Sequence, residues 1–395
     1  MGVVGSLNTP LVNSFSGMKK DRESNDIALL IISITYNILL ESPEIVAKVS
    51  TGELKREVLE TAIIKQMDKQ NFLYDLSRDE IIDSVFAEMF GYGILHKYIE
   101  DEDVSDIDGT RYNEFTIKRN GIRQRVDINF GSEDNFDFYC KRIAIINNGI
   151  LNENDTHCRV TDEGKRLRVN LSVRPRNVSG PAISIRKHRM NSYRIDDLVN
   201  LDMLTPEMGA FYKEVMQSRA SVLYFGIGGS GKTTLLRAGV NDMPELDRVL
   251  ICETDAEIYP DKPYCIEQRI KKKNEGGISV TLKDLVRDGL TMSLDCYIIG
   301  EFIGDEAWEG VRAAHTGHRV LGTGHAISAA DGLYRLLTLS KSANIGESEK
   351  TVKEMIGRSF DYIFFLSNFK VTEVLNIKSY NAAADKFEFD YIFKR

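Results

Sequence analysis

Nine consecutive residues, Gly226-Ile227-Gly228-Gly229-Ser230-Gly231-Lys232-Thr233-Thr234, fit the pattern G-x-x-x-x-G-K-[ST] without a gap. That pattern constrains the fold because it works only between a strand and a helix. The flanks supply both. Ser221-Val222-Leu223-Tyr224-Phe225 reads as a short buried strand, and Leu235-Leu236-Arg237-Ala238 as the opening of a helix. Glycines let successive backbone N–H groups turn inward around an anion, and the helix N-terminus adds partial positive charge. Lys232 is placed to reach β- and γ-phosphates, and the Thr233 hydroxyl to ligate Mg²⁺. A glycine-rich turn without a ligand has no use for that lysine and threonine. The stretch is read as a nucleotide-phosphate site, with Gly226, Gly228, Gly229, Ser230, Gly231, Lys232, Thr233 and Thr234 as its contacts.

At 395 residues the chain exceeds one ordinary core, so two or three domains are expected. Its 42% hydrophobic and 28% charged content is that of a globular protein. A net charge of −8 argues against wholesale nucleic-acid binding while leaving room for a local basic patch. Five scattered cysteines without a C-x-x-C pair indicate neither a zinc site nor a disulfide framework, and suit a reducing compartment. The N-terminus has no charged-then-apolar secretory pattern. Its most apolar run, residues 27–40, is 14 residues long, short of the ~20 needed to cross a bilayer. It is expected to be a buried helix in a cytoplasmic protein that meets membranes only through partners.

Residues 1–24 are polar and aperiodic and read as a loose tail. Helices are expected over the apolar run, over residues 55–70 with Val58, Ala62 and Ile63 on one face, and over 79–90 with Ile81, Val85 and Met89 aligned. The stretch 1–98 is therefore a tail with a helical extension. Gly91-Tyr92-Gly93 ends it. Alternating segments at 115–119 and 122–128 flank Asn120-Gly121, a hairpin signal; a helix near 134–147 precedes strands at 166–173 and 182–186. Together these make an α+β domain over 99–190. Its later part carries Arg166, Arg168, Arg174, Arg176, Arg186 and Arg189. They form either a solvated basic face or a surface that meets phosphates from outside the nucleotide domain.

Residues 191–200 read as a linker, and 201–395 as a second domain whose alternating strands and helices require a parallel sheet. Its strands end at Phe225, Glu253, Gly300-Glu301 and just before His325. Ligands of open parallel sheets sit outside the strands' carboxyl ends, so Lys232, Glu253, Glu301 and His325 converge on one edge. Glu301 is the first candidate to polarise an attacking water or to hold a Mg²⁺-bound water. Glu253 is the second, the two roles being exchangeable, and Glu257 is a weaker third. His325, next to Gly324, suits a γ-phosphate contact. His315, His318 and His325 resemble a metal cluster, but no cysteine or carboxylate has the matching spacing.

These residues resemble the ATPases of type II and type IV secretion and type IV pilus machines, most closely the tight-adherence pilus branch. Gly91-Tyr92-Gly93-Ile94-Leu95 with Asp103-Val104-Ser105-Asp106-Ile107 is similar to the entry of that family's N-terminal domain. Arg168-Val169-Asn170 and Gly180-Pro181-Ala182-Ile183-Ser184-Ile185-Arg186-Lys187 are similar to its closing motifs. Glu253-Thr254-Asp255-Ala256-Glu257 resembles the acidic box, and Ile298-Ile299-Gly300-Glu301 the Walker B strand. Gly304-Asp305-Glu306-Ala307 with Thr316-Gly317-His318 and Thr323-Gly324-His325-Ala326 resembles the histidine-box region. The resemblance implies an α/β, RecA-like P-loop NTPase domain after a smaller α+β (PAS-like) domain and a helical extension. It further implies a hexamer with ATP and Mg²⁺ between the two domains, Arg168 and Arg186 on the far wall, and Thr233 and Glu301 at the metal. Such a ring does mechanical work with an integral membrane platform protein, at the inner face of the cytoplasmic membrane.

The sequence also departs from the family pattern. Thr254 stands where the acidic box has Asp, and Thr291, Ser293 and Ile303 stand where arginines are customary, leaving Arg287. Either Arg287, Arg312 or Arg319 supplies the missing charge, or turnover is slow. Two other functions compete. One is a DNA-transfer or packaging motor, for which Arg269-Ile270-Lys271-Lys272-Lys273 is the conspicuous basic run. The other is a nucleotide-binding assembly subunit with little turnover.

Overall fold

The apolar run at residues 27–40 lies within one long helix, α1 (Phe15–Glu41). The computed structural model of the protein describes residues 15–50, 53–69, 77–188, 192–272 and 278–395. Its chain divides into two compact units, Met1–Lys187 and His188–Arg395.

In the first unit α1 packs with α2 (Pro43–Ser50), α3 (Arg56–Lys69) and α4 (Arg78–Phe90) around Leu30, Ile34, Ile38, Leu59, Ile63 and Val85. Ser77 and Glu80 form a reciprocal capping box that starts α4. Two expectations change here. Residues 15–24 are the first turns of α1, not a loose tail, while residues 1–14 lie outside the described residues. On α3 the buried row is Leu59, Ile63 and Gln66, and Val58 is exposed. Gln66 can turn inward because its amide donates to the Glu41 carboxylate at 2.7 Å.

A 3₁₀ turn (Gly93–Leu95) and α5 (His96–Glu100) lead into β1 (Val104–Arg111), β2 (Glu114–Arg119) and β3 (Ile122–Val126). Then come α6 (Glu133–Ile146), β4 (His157–Asp162), β5 (Leu167–Ser172) and β6 (Ala182–Lys187). The strands make an antiparallel sheet in the order β3-β2-β1-β6-β5-β4. Asn120 and Gly121 both have positive φ, as the tight β2–β3 turn requires. Alternation sends Leu167, Val169, Leu171, Ile183 and Ile185 into a core shared with Phe136, Tyr139 and Ile143 of α6. Arg168 and Arg186 stand on the opposite face as register partners. From α1, Ile32 joins this sheet core, so one helix serves both cores of the unit.

The second unit starts with α7 (Ile195–Asn200), where a linker was expected; its Ile195 and Leu198 are buried. It continues through α8 (Pro206–Gln217), β7 (Val222–Gly226), α9 (Lys232–Val240), β8 (Val249–Glu253), β9 (Cys265–Arg269) and α10 (Leu282–Gly289). Next are β10 (Cys296–Phe302), α11 (Glu306–His315), β11 (Arg319–Gly324), α12 (Ala329–Lys341) and α13 (Glu349–Ser359). A C-terminal meander, β12 (Tyr362–Ser367), β13 (Lys370–Asn381) and β14 (Lys386–Lys394), closes the chain. The sheet order is β14-β13-β12-β7-β11-β10-β8-β9, parallel from β12 to β9. Helices cover both faces: Leu223 and Phe225 face one core, Val222 and Tyr224 the other. Burial on both sides is why β7, and β8 up to Glu253 at its end, run apolar without a break.

Among the described residues no single helix is long and apolar enough to cross a membrane. Leu29–Glu41 with Pro43–Val49, bent by 100°, meets that test only as a pair.

Candidate nucleotide site

The glycine loop follows β7 and runs directly into α9, which begins at Lys232. Gly226, Gly229 and Gly231 have φ of 156°, 73° and 95°. At Gly226 a side chain would also collide with the Leu366 carbonyl, only 2.2 Å from the position of a Cβ. Lys232 is 7% exposed and folds back, donating to the carbonyls of Gly226 at 3.1 Å and Ile227 at 3.0 Å. Burial pulls its pKa down, while Glu301 and Glu257 push it up. Thr233 and Thr234, half-buried, complete the first turn of α9. Ser230 is 2% exposed, and its Oγ has no hydrogen-bond partner among the described residues. Native interiors rarely leave a hydroxyl that way, and an oxygen-rich anion held by the loop is a fitting partner. The loop, its lysine and this hydroxyl fit a polyphosphate, and Thr233 with the nearby carboxylates fits the oxygen preference of Mg²⁺.

Parallel pairing of β8, β10, β11 and β7 brings the expected residues to one edge. Glu301 and His325 meet there directly, with His325 Nε2 2.6 Å from Glu301 Oε1 and both side chains open to solvent. His325 also faces the loop: its Cε1 lies 3.8 Å from where a Cβ on Gly228 would stand. Thr323, quoted in the sequence only as part of the histidine-box motif, donates to the Gly300 carbonyl at 2.6 Å and pins β11 to β10 beside Glu301. Glu306, likewise quoted only within its motif, was given no role of its own. It accepts from the Gly304 N–H at 2.7 Å and fixes the turn between β10 and α11. Its signal was its place two residues past Gly304, ahead of a helix.

Glu253 is arranged differently from Glu301. It is 4% exposed and accepts the backbone N–H groups of Glu257 and Ile258, each at 3.1 Å. Burial outweighs these hydrogen bonds and pushes its pKa up to about 8. Glu253 thus folds the acidic segment onto β8, and Glu257 is the residue of that segment whose charge acts on Lys232. Gly300 is small because a Cβ there would stand 3.0 Å from Glu253 Cγ. Asp255 pairs with Lys272 at 3.6 Å.

The arginine candidates separate by partner. Arg319 is 3% exposed and donates to the carbonyls of Val215, Met216 and Ala220 around the end of α8. It holds that end in place and has no free face for a phosphate. Arg312 pairs with Glu309 at 3.0 Å, and Arg287 with Asp284 at 3.3 Å; both guanidinium groups are about half exposed. Arg168 and Arg186 belong to the first unit, where Arg186 Nε donates to Asp106 at 3.1 Å. An open pocket of that unit, about 430 Å³, is lined by Arg111, Tyr112, Glu133 and Arg174 among others; of the six arginines named in the sequence it takes in Arg174 but neither Arg168 nor Arg186.

The three histidines do not gather. His315 lies 3.4 Å from the Ser359 hydroxyl, and His318 bonds Thr316 at 3.2 Å and packs edge-on to Tyr297. Among the described residues no group of three His, Cys, Asp or Glu side chains is placed to hold a metal ion. The basic run is also engaged within the unit. Arg269 ends β9, Lys271 bridges to Val280 and Lys272 pairs with Asp255, while Lys273 lies outside the described residues.

The type II/IV secretion system protein family matches residues 142–364, more than half of the chain. A putative conjugal transfer protein of Mycobacterium tuberculosis is 27% identical over 248 residues, 61% of this chain and 70% of that protein. VirB11 of Agrobacterium fabrum is 28% identical over 160 residues, which span 40% of this chain and 46% of the relative. Among solved structures, the pilus retraction motor PilT with bound ADP superposes with a TM-score of 0.52 at 18% identity, covering 77% of this chain and 83% of PilT. At that identity the likeness concerns the fold: a RecA-like α/β core behind an N-terminal domain.

Proposed function

This chain belongs to the type II/IV secretion system protein family, and from that premise we propose that it is a Mg²⁺-dependent ATP-hydrolysing motor subunit. The observation that carries the reading is the Glu301–His325 pair, 2.6 Å apart, at the sheet edge that also presents Lys232. Phosphoryl transfer needs positioning and charge stabilisation more than covalent chemistry. Lys232 neutralises the β- and γ-phosphates once they displace its contacts to Gly226 and Ile227. Glu301 accepts a proton from, or orients, the water that attacks the γ-phosphorus. His325 holds the Glu301 carboxylate in line and donates toward the γ-phosphate when the pair opens. Thr233 and Glu301 would hold Mg²⁺, directly or through its waters, and the ion supplies neutralisation of the phosphate oxygens. Glu253 is assigned the shaping of the acidic segment, and Arg287 or Arg312 the supply of charge on this unit.

The assembly proposed is a homo-hexamer with nucleotide between the N-terminal and RecA-like domains, where Arg168 and Arg186 meet the phosphates. Hydrolysis there would drive pilus assembly or secretion through an integral membrane platform protein, with the ring peripheral to the inner face of the cytoplasmic membrane. The proposed helical extension (1–98) and α+β domain fall within Met1–Lys187, and the proposed RecA-like domain takes in α7 within His188–Arg395; the tight-adherence placement rests on the order of motifs. A second reading is favoured by one observation, the conjugal-transfer naming of relatives. In it the same motor serves a DNA-transfer machine, and ATPase stimulation by DNA, lost steeply with salt, is its mark.

Phosphate release with Mg-ATP tests the enzyme directly. Wild type is expected to turn over, and Lys232→Ala and Glu301→Gln each to fall by about 10²-fold or more, the scale on which losing one charge-stabilising or water-activating group registers. If wild type and Lys232→Ala are equally inactive under conditions where both assemble, the chain is an assembly subunit and the motor reading fails.

A further inference from the structure

The glycine loop accounts for phosphates, but nothing described so far meets a nucleoside. The sheet order states where that end must go. β7, which delivers the loop, has β11 on one side and β12 on the other. The Glu301–His325 pair sits on the β11–β10 side, so a triphosphate with its γ end there directs its other end toward β12. Leu366 of β12 is the register partner of Gly226, and two residues further the strand turns back into β13.

That turn carries Phe369. Ser367 and Lys370 are paired, and the two residues between them, Asn368 and Phe369, have φ of 49° and 61°. Such turns ordinarily take Asn-Gly, and a bulky aromatic at positive φ is uncommon. Phe369 as a whole is 60% exposed. One edge of its ring nonetheless lies against the phosphate loop, with Cδ1 3.1 Å from where a Cβ on Gly231 would stand. Met203 Cε is 2.8 Å from the same point. The tip is anchored: Val371 donates to the Met203 carbonyl at 2.9 Å, Lys370 pairs with Asp202, and Arg395 approaches Asp202 at 3.4 Å.

We propose that Phe369 is the platform on which the base of the nucleotide stacks, with Met203 as the apolar floor beside it. The inference rests on the reading of Gly226–Thr234 as a nucleoside triphosphate site, and extends it from phosphate to base. Stacking is tolerant of base identity, so Phe369 supplies affinity more than choice among purines.

The test compares ATP with inorganic tripolyphosphate as titrants of the full chain. Phe369→Gly removes the ring while suiting the turn's left-handed backbone, so the hairpin is kept. Losing one aromatic–base stack predicts ATP binding weakened roughly 5- to 150-fold, with tripolyphosphate binding held at the wild-type level. Phe369→Trp is expected to restore ATP affinity. Equal weakening of both ligands would make Phe369 a strut for the loop and overturn the inference, as would unchanged ATP affinity in Phe369→Gly. If the wild-type chain binds neither ligand, the nucleotide reading falls and takes this one with it.

Discussion

Glu253 and Glu301 end neighbouring strands and look alike in the sequence, yet the fold treats them as different reagents. Glu301 is solvent-facing and held by an imidazole; Glu253 is enclosed, with a pKa pushed up to about 8 by burial. The enclosed group makes stability depend on pH in a definite direction. A carboxyl whose folded pKa is raised stabilises fully below its unfolded value, near 4.5, and loses that contribution as pH rises toward 8. The slope cannot exceed about 1.4 kcal/mol per pH unit. Glu253→Gln stays neutral throughout. Its melting temperature is therefore expected to gain on wild type between pH 5.5 and 8, by a few degrees. A difference between the two proteins that is flat with pH would show that Glu253 is not held in its protonated form. Measuring phosphate release in the same samples separates this shaping role from Glu301, whose glutamine variant should lose turnover at every pH.

At the level of elements, what could be read in advance was what burial writes into the residues. β7, β8 and β10 are enclosed on both faces, so their apolar runs announced them, and the parallel order then fixed which side chains share an edge. β9 and β14 lie at the sheet edges and carry charges along their length. In β9 the pairing partner, not the composition, makes the strand; β14 does carry an alternating signal in Phe387, Phe389, Tyr391 and Phe393, which the charges between them obscured. Arg319 shows the same limit for a side chain: a cation near the site in sequence can be consumed by the end of α8. The join of α4 to α6 was likewise hidden. Arg142 of α6 pairs with Glu88 of α4 at 3.3 Å, both buried, and also donates to the Met89 and Gly91 carbonyls. Breaking such a pair from one side strands a buried charge. Arg142→Met should lower stability by about 3–5 kcal/mol in urea unfolding, and Glu88→Met added to it should recover much of that loss. No recovery in the double variant would mean that the hydrogen bonds from Arg142 to the helix end outweigh the ion pair.

For the whole molecule, the question is how a chain of two units turns one phosphate loop into a motor. The residues proposed to cradle and hydrolyse nucleotide lie in His188–Arg395, whereas Arg168 and Arg186 lie in Met1–Lys187. We propose that these arginines act on nucleotide held by the phosphate loop, and the rate is the measure of it. Arginine fingers contribute roughly 10³- to 10⁵-fold, so Arg168→Ala or Arg186→Ala should retain ATP binding while losing about 10³ in phosphate release. Unchanged binding together with unchanged turnover would instead assign the arginines to a solvated basic face. Mixing then distinguishes a ring from a self-sufficient chain. Lys232→Ala lacks the cradle but keeps both arginines; Arg168→Ala keeps the cradle but lacks one. If an arginine serves the loop of a neighbouring subunit, combining the two inactive variants creates interfaces with both parts intact, and phosphate release reappears in proportion to their number. If it serves its own chain, every subunit in the mixture stays incomplete and release remains at the level of the variants alone. Reappearance must also follow subunit concentration, because only an assembled ring has such interfaces. A mixture that stays inactive while sedimenting as one hexamer would show that the coupling of the two units is internal to each chain.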